Sequence, residues 1–290
     1  MALGRVRFAV AWWSICVGCG TDPTHWGADS TGSSEDAGDS IALPDGASRD
    51  ADEALDPTAP QAAAAATDAS SGPFRVLLFS RTAAYRHDSI AAALQALTDL
   101  ATTGGYIAEA TEDPTQFSAS NLTRFQVVVF LNTTGDVLDD AQQGAFEDWM
   151  NAGGSFVGVH SACDTEYDWP FYGALIGAYF KSHPAVQLAN VRVEVANHPA
   201  MAGVASPWNL RDEWYDFQSN PRPNVTVLAT VDESSYTGGT MGNDHPIVWA
   251  HPTAGGGRAF YTGMGHGSES YADPTFRGHL VGALRWAAGR

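Results

Sequence analysis

The chain has 290 residues, 33 acids against 15 Lys and Arg, and a net charge of −18. Such an acidic excess repels phosphate backbones and argues against a nucleic-acid partner. Three cysteines, Cys16, Cys19 and Cys163, are too few for a disulfide framework, so stability has to come from a packed core.

At the N-terminus, Arg5 and Arg7 precede the apolar run FAVAWWSICV and then Gly18-Cys19. A cationic start, an apolar core of about 10 residues and a small residue before the cut read as a secretory signal over 1–19. That core is too short for a bilayer, which needs about 20 residues. The ending CVGC resembles a bacterial lipoprotein signal with Cys19 lipidated, although Cys16 stands where such signals usually carry Leu. A plain secretory signal cut nearby is the alternative. Residues 20–72 hold eleven acids and one base, Arg49, among Ala, Ser, Gly and Pro, with few large apolar side chains. Such a segment cannot bury enough surface to offset its ordering entropy and reads as a disordered acidic tether. The protein is therefore expected to be exported. A lipid anchor would be its only membrane contact, holding it at the cell envelope on the outer membrane or facing the periplasm; otherwise it is secreted.

Residues 73–290 are enough for one sizeable domain. RVLLFS (75–80) is a compact apolar run that reads as a buried strand. Asp88 or Ser89 can cap a helix carrying Ile90, Leu94, Leu97 and Ala101, closed by Gly104-Gly105. A weaker strand follows at 106–110. QVVVFL (126–131) is apolar on both faces, as parallel strands are. A helix over 139–151 turns Phe146, Trp149 and Met150 inward, and 155–159 is the next strand. This alternation predicts a doubly wound parallel sheet. Beyond Pro170 the pattern loosens. PFYGALIGAYF starts as a helix and then becomes unclear. Residues 186–195 alternate with period 2, as an antiparallel strand would, and 225–230, 246–250 and 258–262 read as further strands. A last helix spans 273–288. The fold class is α/β, one domain, mostly parallel with antiparallel additions.

In such sheets ligands bind beyond the carboxyl ends of the strands. Those ends carry Tyr85-Arg86-His87-Asp88, then Asn132-Thr133-Thr134, then His160-Ser161 with Asp164 and Glu166, and finally Gly263-Met264-Gly265-His266 with Glu269. A lone His at a strand end is usually a hydrogen-bonded turn residue. Three of the nine, His87, His160 and His266, project onto one rim, and His183 and His245 sit in turns that can join them. His198 and His251 read as turn residues, and His279 as a surface or packing residue. Gly158-x-His160-x-Ala162 is a strand-to-helix elbow, which would stand the His160 side chain up into the crevice. Cys163 reads as a small buried hydrophobe rather than a nucleophile. Asp212-Glu213-Trp214-Tyr215 sets carboxylates beside aromatics, which suits a sugar; the other reading is a surface turn with a packed Trp.

The stretches YRHDSI (85–90), GVHSACDTEYDWPFYGALIGAYFKSHP (158–184), DEWYDF (212–217), GNDHPIVWAH (242–251) and GRAFYTGMGH (257–266) together resemble the ThuA-like, trehalose-utilisation family. Cys163 departs from it, since the family usually has Ala there. The resemblance implies a flavodoxin-like, class I glutamine amidotransferase-like fold. It also implies sugar metabolism, in particular disaccharides oxidised at C3 of a glucosyl ring. Amidotransferases carry Cys at the elbow; with His160 there, no glutamyl thioester can form, so glutamine hydrolysis is excluded. The expected enzyme acts on 3-keto-glycosides by general acid/base chemistry. His160 or His266 would be the base, with Glu213 or Asp164 the acid or the residue that orients it. The expected catalytic set is His160, His266 and Glu213. The expected ligand-binding set is His87, Asp88, Asn132, Ser161, Asp164, His183, Tyr215, Asp244, His245 and Glu269. His87, His160 and His266 are candidate ligands of a divalent metal, although no HxH or HxxxH spacing supports one. The alternative is a non-catalytic sugar-binding module. In either case the small-molecule partner is a saccharide, and a sugar oxidoreductase or a transporter is a candidate protein partner.

Overall fold

The computed structural model describes residues 72–290. The expected signal, Cys19 and all but the last residue of the tether lie outside the described residues. The first half of the domain alternates as its sequence predicts: β1 (Phe74–Phe79), α1 (Ile90–Asp99), α2 (Ala101–Gly104), β2 (Tyr106–Thr111), α3 (Ala119–Leu122), β3 (Val127–Leu131), α4 (Asp140–Asn151) and β4 (Ser155–Val159). Every residue of β3 and β4 is buried, which is why both read as unbroken apolar runs. The α4 helix starts at a capping box, in which Asp139 accepts from the Gln142 N–H while the Gln142 side chain accepts from the Asp139 N–H.

The second half is α5 (Pro170–Ile176), β5 (Phe180–Ser182), β6 (Gln187–Val193), β7 (Trp208–Asp212), β8 (Asp216–Phe217), β9 (Thr226–Val231), β10 (Pro246–Pro252), β11 (Arg258–Thr262) and α6 (Pro274–Ala287). Among the described residues, nine strands form one sheet in the order β2–β1–β3–β4–β11–β10–β9–β6–β7. From β2 to β11 all neighbours are parallel; from β11 to β7 all are antiparallel. β5 and β8 make a separate antiparallel pair. Strand order reverses between β1 and β3, so a crevice opens above their carboxyl ends.

The platform under that crevice is an aromatic core. Phe79, Phe117, Phe130, Phe146, Phe156 and Tyr172 are all buried and meet at centroid distances of 4.6 to 6.3 Å. Each fully buried ring contributes about 1.5–3 kcal/mol, so the strand ends stand on a stiff base. Gly158 in β4 lets α5 approach: a Cβ there would lie 2.9 Å from Ile176 Cδ1 and 3.1 Å from Tyr261 Cδ2.

Three short strands, β5, β7 and β8, have no counterpart in the sequence reading. Two to five residues are too few to establish a period, and Trp208–Asp212 alternates with polar Asn209 and Arg211 outward. Ser89 sits at the start of α1, but its hydroxyl does not cap the helix. His251 lies in β10 rather than in a turn, with Nε2 donating to the Leu175 carbonyl at 2.9 Å. His279 is buried, its Nδ1 donating to the Ala200 carbonyl at 2.8 Å.

Candidate active site

β4 ends at Val159, and the chain turns at once into a single 3₁₀ turn from His160 to Asp164. His160 takes φ = +50°, a left-handed conformation rare for a non-glycine residue. Its carbonyl accepts from the Tyr261 hydroxyl at 2.8 Å, which holds the turn from the neighbouring strand. The ring is fully buried, and Nδ1 donates to the Gly263 carbonyl at 2.9 Å. A carbonyl can only accept, so Nδ1 carries the hydrogen and Nε2 is the bare nitrogen. No protein group hydrogen-bonds to Nε2.

Three other loops deliver side chains to that nitrogen. His87, after β1, meets the His160 and His266 rings edge-on at 4.8 and 5.2 Å between centroids. Its Nδ1 is 3.3 Å from the Ser161 hydroxyl. His266, after β11, sets Nδ1 at 3.0 Å from Glu213 Oε2 without the alignment of a hydrogen bond. Glu213, just past β7, also brings Oε2 to 3.5 Å from His160 Nε2, and its Oε1 to 3.0 Å from His183 Nδ1. One donor atom from each of His87, His160, Glu213 and His266 lies within 4.8 Å of the others.

Charge follows from this packing. Burial, with His160 and His266 close by, depresses His87 to about 3, so it stays neutral. Burial would raise the Glu213 carboxyl, but the contacts from His160 and His266 outweigh it and the net displacement is downward. Contact with Glu213 raises the proton affinity of His266. Burial raises Asp164, although the Tyr167 hydroxyl donates to it at 2.6 Å.

Three of the four, His87, Glu213 and His266, border a cavity of about 350 Å³ that is also lined by Tyr85, Asp164, Phe180, His183 and Tyr215, while His160 is fully buried and does not line it. Tyr215 lies over the His160 ring at 4.4 Å, and Phe180 packs on Tyr215 at 4.4 Å. A neighbouring hollow shares Tyr85, His87 and His266 and adds Asp88, Arg211 and Glu269. A larger hollow of about 430 Å³ lies by the starts of β4 and β11, but its only ionisable lining group is Arg258.

Of the residues picked from sequence, His87, His183, Glu213, His266, Asp164 and Tyr215 line the cavity; His160, expected to stand up into the crevice, is instead fully buried with Tyr215 packed over its ring. Asp88 and Glu269 border the second hollow. Asn132, Ser161, Asp244 and His245 line neither. Asn132 is buried and knots three loops from below: its amide donates to the Ser89 hydroxyl and the Gly265 carbonyl, and its oxygen accepts from the Tyr271 hydroxyl. Ser161 steadies His87. His245 is buried between Glu233 Oε1 and the Tyr215 carbonyl, 2.8 Å from each, and so holds Tyr215 from behind. Asp244 pairs with Arg222 at the surface. Trp214 is fully buried, its Nε1 donating to the Gln187 carbonyl, so of the DEWY cluster only Glu213 and Tyr215 face the cavity. Cys163 is buried beside the Tyr261 hydroxyl, and burial pushes its thiol up, out of nucleophilic range.

Asp212, which the sequence marked only as a carboxylate of the sugar-suited cluster and left out of the site set, has a role that sequence reasoning missed. It is buried at the end of β7, and the N–H groups of Gly265, His266 and Glu213 donate to its carboxylate at 2.8, 3.0 and 2.9 Å. One side chain thus ties the His266 loop to the Glu213 loop. Its place beside Glu213 was the available signal.

A model of the ThuA family, described as trehalose utilisation, matches residues 75–287. A ThuA-like protein from Bacteroides uniformis, of known crystal structure, is 26% identical, with a TM-score of 0.64 over 75% of this chain and 93% of that one. A second, from Parabacteroides merdae, is 19% identical, with a TM-score of 0.62 over 74% of this chain and 90% of that one, and bears on the fold alone. None of the curated proteins matches the chain.

Proposed function

This chain belongs to the ThuA family, and from that premise we propose that its crevice acts on glycosides or disaccharides oxidised to the ketone at C3 of a glucosyl ring. The observation that carries the reading is the convergence of three imidazoles and a carboxylate on one cavity, beside an aromatic wall. The cavity is at the small end of the range for small-molecule sites, about 300–1,000 Å³, and suits a single sugar ring. Tyr215 and Phe180 offer apolar surface to the ring face.

A ketone at C3 acidifies the proton on C2. Removal of that proton develops negative charge on the C3 oxygen, and the glycosidic oxygen can then leave from C1 once it is protonated. The His87–His160–His266–Glu213 cluster stabilises the C3 oxygen. His183 takes the proton: its Nδ1 faces Glu213 Oε1 at 3.0 Å and the Pro184 carbonyl at 2.9 Å, which leaves Nε2 as the accepting nitrogen. Asp164, whose raised carboxyl keeps its proton longer than an ordinary Asp, supplies the acid. An oxidoreductase that makes the ketone is the fitting partner. The expected lipid anchor would keep the domain beside it at the envelope. A thioester route has no support here, because the elbow residue is His160 and the one described thiol, Cys163, is buried and does not line the cavity.

The test is turnover of 3-keto-glucosides and 3-keto-disaccharides by the full chain, with products read by mass spectrometry. His183→Ala and His160→Ala should each slow turnover about 100- to 10,000-fold. Equal rates in all three proteins refute the assignment. Saccharide binding by calorimetry with no product favours the binding module instead.

A further inference from the structure

We infer that His87, His160, His266 and Glu213 form a binding site for one divalent transition ion of the zinc class. The inference deepens the proposed function by naming what stabilises the C3 oxygen, and it rests on that reading only for its role, not for its existence.

The argument starts from His160. Its ring is fully buried, its Nδ1 hydrogen is committed to a backbone carbonyl, and its Nε2 lone pair has no protein partner. A buried acceptor with nothing to accept is costly in a closed fold. A second imidazole nitrogen, His266 Nδ1, is likewise buried and makes no hydrogen bond. Both lie against the same carboxylate oxygen, Glu213 Oε2, at 3.5 and 3.0 Å. Bonds of about 2.1 Å in a tetrahedral site put ligand atoms about 3.4 Å apart, so these separations need little adjustment. His87 adds a third imidazole, and Ser161 occupies its Nδ1 side. A metal-bound imidazole commonly donates its other N–H to a backbone carbonyl or a carboxylate, and His160 does so. Three imidazoles and one carboxylate favour zinc-class ions over calcium or magnesium, which take oxygen ligands.

A second cluster shows what a filled network looks like. Asp216, Glu233 and His245 also bring their donor atoms together. There His245 Nε2 donates to the Tyr215 carbonyl, its Nδ1 lies 3.1 Å from the Tyr236 hydroxyl and 2.8 Å from Glu233 Oε1, and the Asp216 oxygens accept from the Thr240 N–H and the Ser182 hydroxyl. Both imidazole nitrogens and both carboxylates there have hydrogen-bond partners, so that cluster is a strut. The ring around His160 differs in this respect.

The experiment uses the full, untagged chain, stripped with chelator and titrated calorimetrically with Zn²⁺ alone, then with Co²⁺ while its visible absorption is recorded. One ion per chain should bind, and Co²⁺ should show the intense bands of a four- or five-coordinate nitrogen-rich site. His160→Ala and Glu213→Gln should each weaken binding at least about 100-fold, whereas His251→Ala, far from the cavity, should leave it unchanged. Far-UV circular dichroism checks that each variant is folded. If His160→Ala unfolds, Glu213→Gln, which removes one oxygen's charge and keeps the shape, decides. Absence of one-to-one binding, or binding that both substitutions leave intact, overturns the inference. Because no sugar is present, tight Zn²⁺ binding without keto-glycoside turnover refutes the proposed function alone. Full turnover by the ion-free chain refutes the ion's role at the C3 oxygen and leaves the binding site to the titration.

Discussion

Replacing Asp212 by Asn isolates the tie between the two loops that carry the site. The carboxylate accepts three backbone N–H groups at 2.8 to 3.0 Å, one from Gly265, one from His266 and one from Glu213. Hydrogen bonds to a charged group contribute about 1.5–3 kcal/mol each, and neutral ones about 1 kcal/mol. Asn keeps one acceptor, but its NH₂ group faces the Gly265 N–H and leaves both donors buried without an acceptor, a cost of about 1–3 kcal/mol. Burial raises the Asp212 carboxyl and so opposes its charge, a penalty that Asn removes. The net loss is therefore expected at about 2–3 kcal/mol. For a domain of this size about 1 kcal/mol moves Tm by 2–4 °C, so the midpoint should fall by about 4–12 °C in scanning calorimetry. The same variant should weaken Zn²⁺ binding by about 10-fold or more, because His266 and Glu213 lose their common anchor. Asp244→Asn is the control: it breaks a surface pair with Arg222 and should cost under about 1 kcal/mol. An Asp212→Asn protein with unchanged Tm and unchanged Zn²⁺ affinity would show that the carboxylate does not hold the site.

Three further outcomes are expected. Burial depresses His279 from 6.5 to about 4, so between those values the unfolded chain binds the extra proton. Stability from this group is complete above pH 6.5 and falls by about 3 kcal/mol as the pH drops through 4. Tm measured from pH 7 to 4 should fall less steeply in His279→Gln than in wild type, and parallel curves would refute the assignment. Cys163 should resist thiol reagents in the folded chain, and Cys163→Ala should keep ion binding and turnover within about twofold; rapid labelling under native conditions contradicts its burial. His245→Leu leaves Glu233 with only the Met241 N–H on Oε1 and frees the Tyr215 carbonyl. It should cost about 3 kcal/mol and raise KM more than it lowers kcat, whereas an unchanged KM argues that Tyr215 needs no support.

The parallel half of the fold was legible because its central strands β3 and β4 are buried on both faces: VVVFL and SFVGV carry their environment in composition alone. The capping box at Asp139 and the Pro274 start of α6 mark helix ends locally. β7 was not legible, since WNLRD exposes its polar residues and gains its strand geometry only by pairing with β6. For the site, position after a strand sufficed to pick out His87, His160 and His266. The same rule also selected Asn132, and a turn context selected His245, whose hydrogen-bonding groups the fold consumes internally.

Backbone preference and apolar patterning are properties of a residue and its near neighbours, so the linear chain determined the buried strands, the elbow at His160 and the set of side chains able to do chemistry. Whether a polar group is satisfied depends on atoms many positions away. Only the tertiary structure therefore decided that Asp212 would be spent on amides near residue 265, that His245 would brace Tyr215, and that His160 Nε2 would be left with an open lone pair facing Glu213.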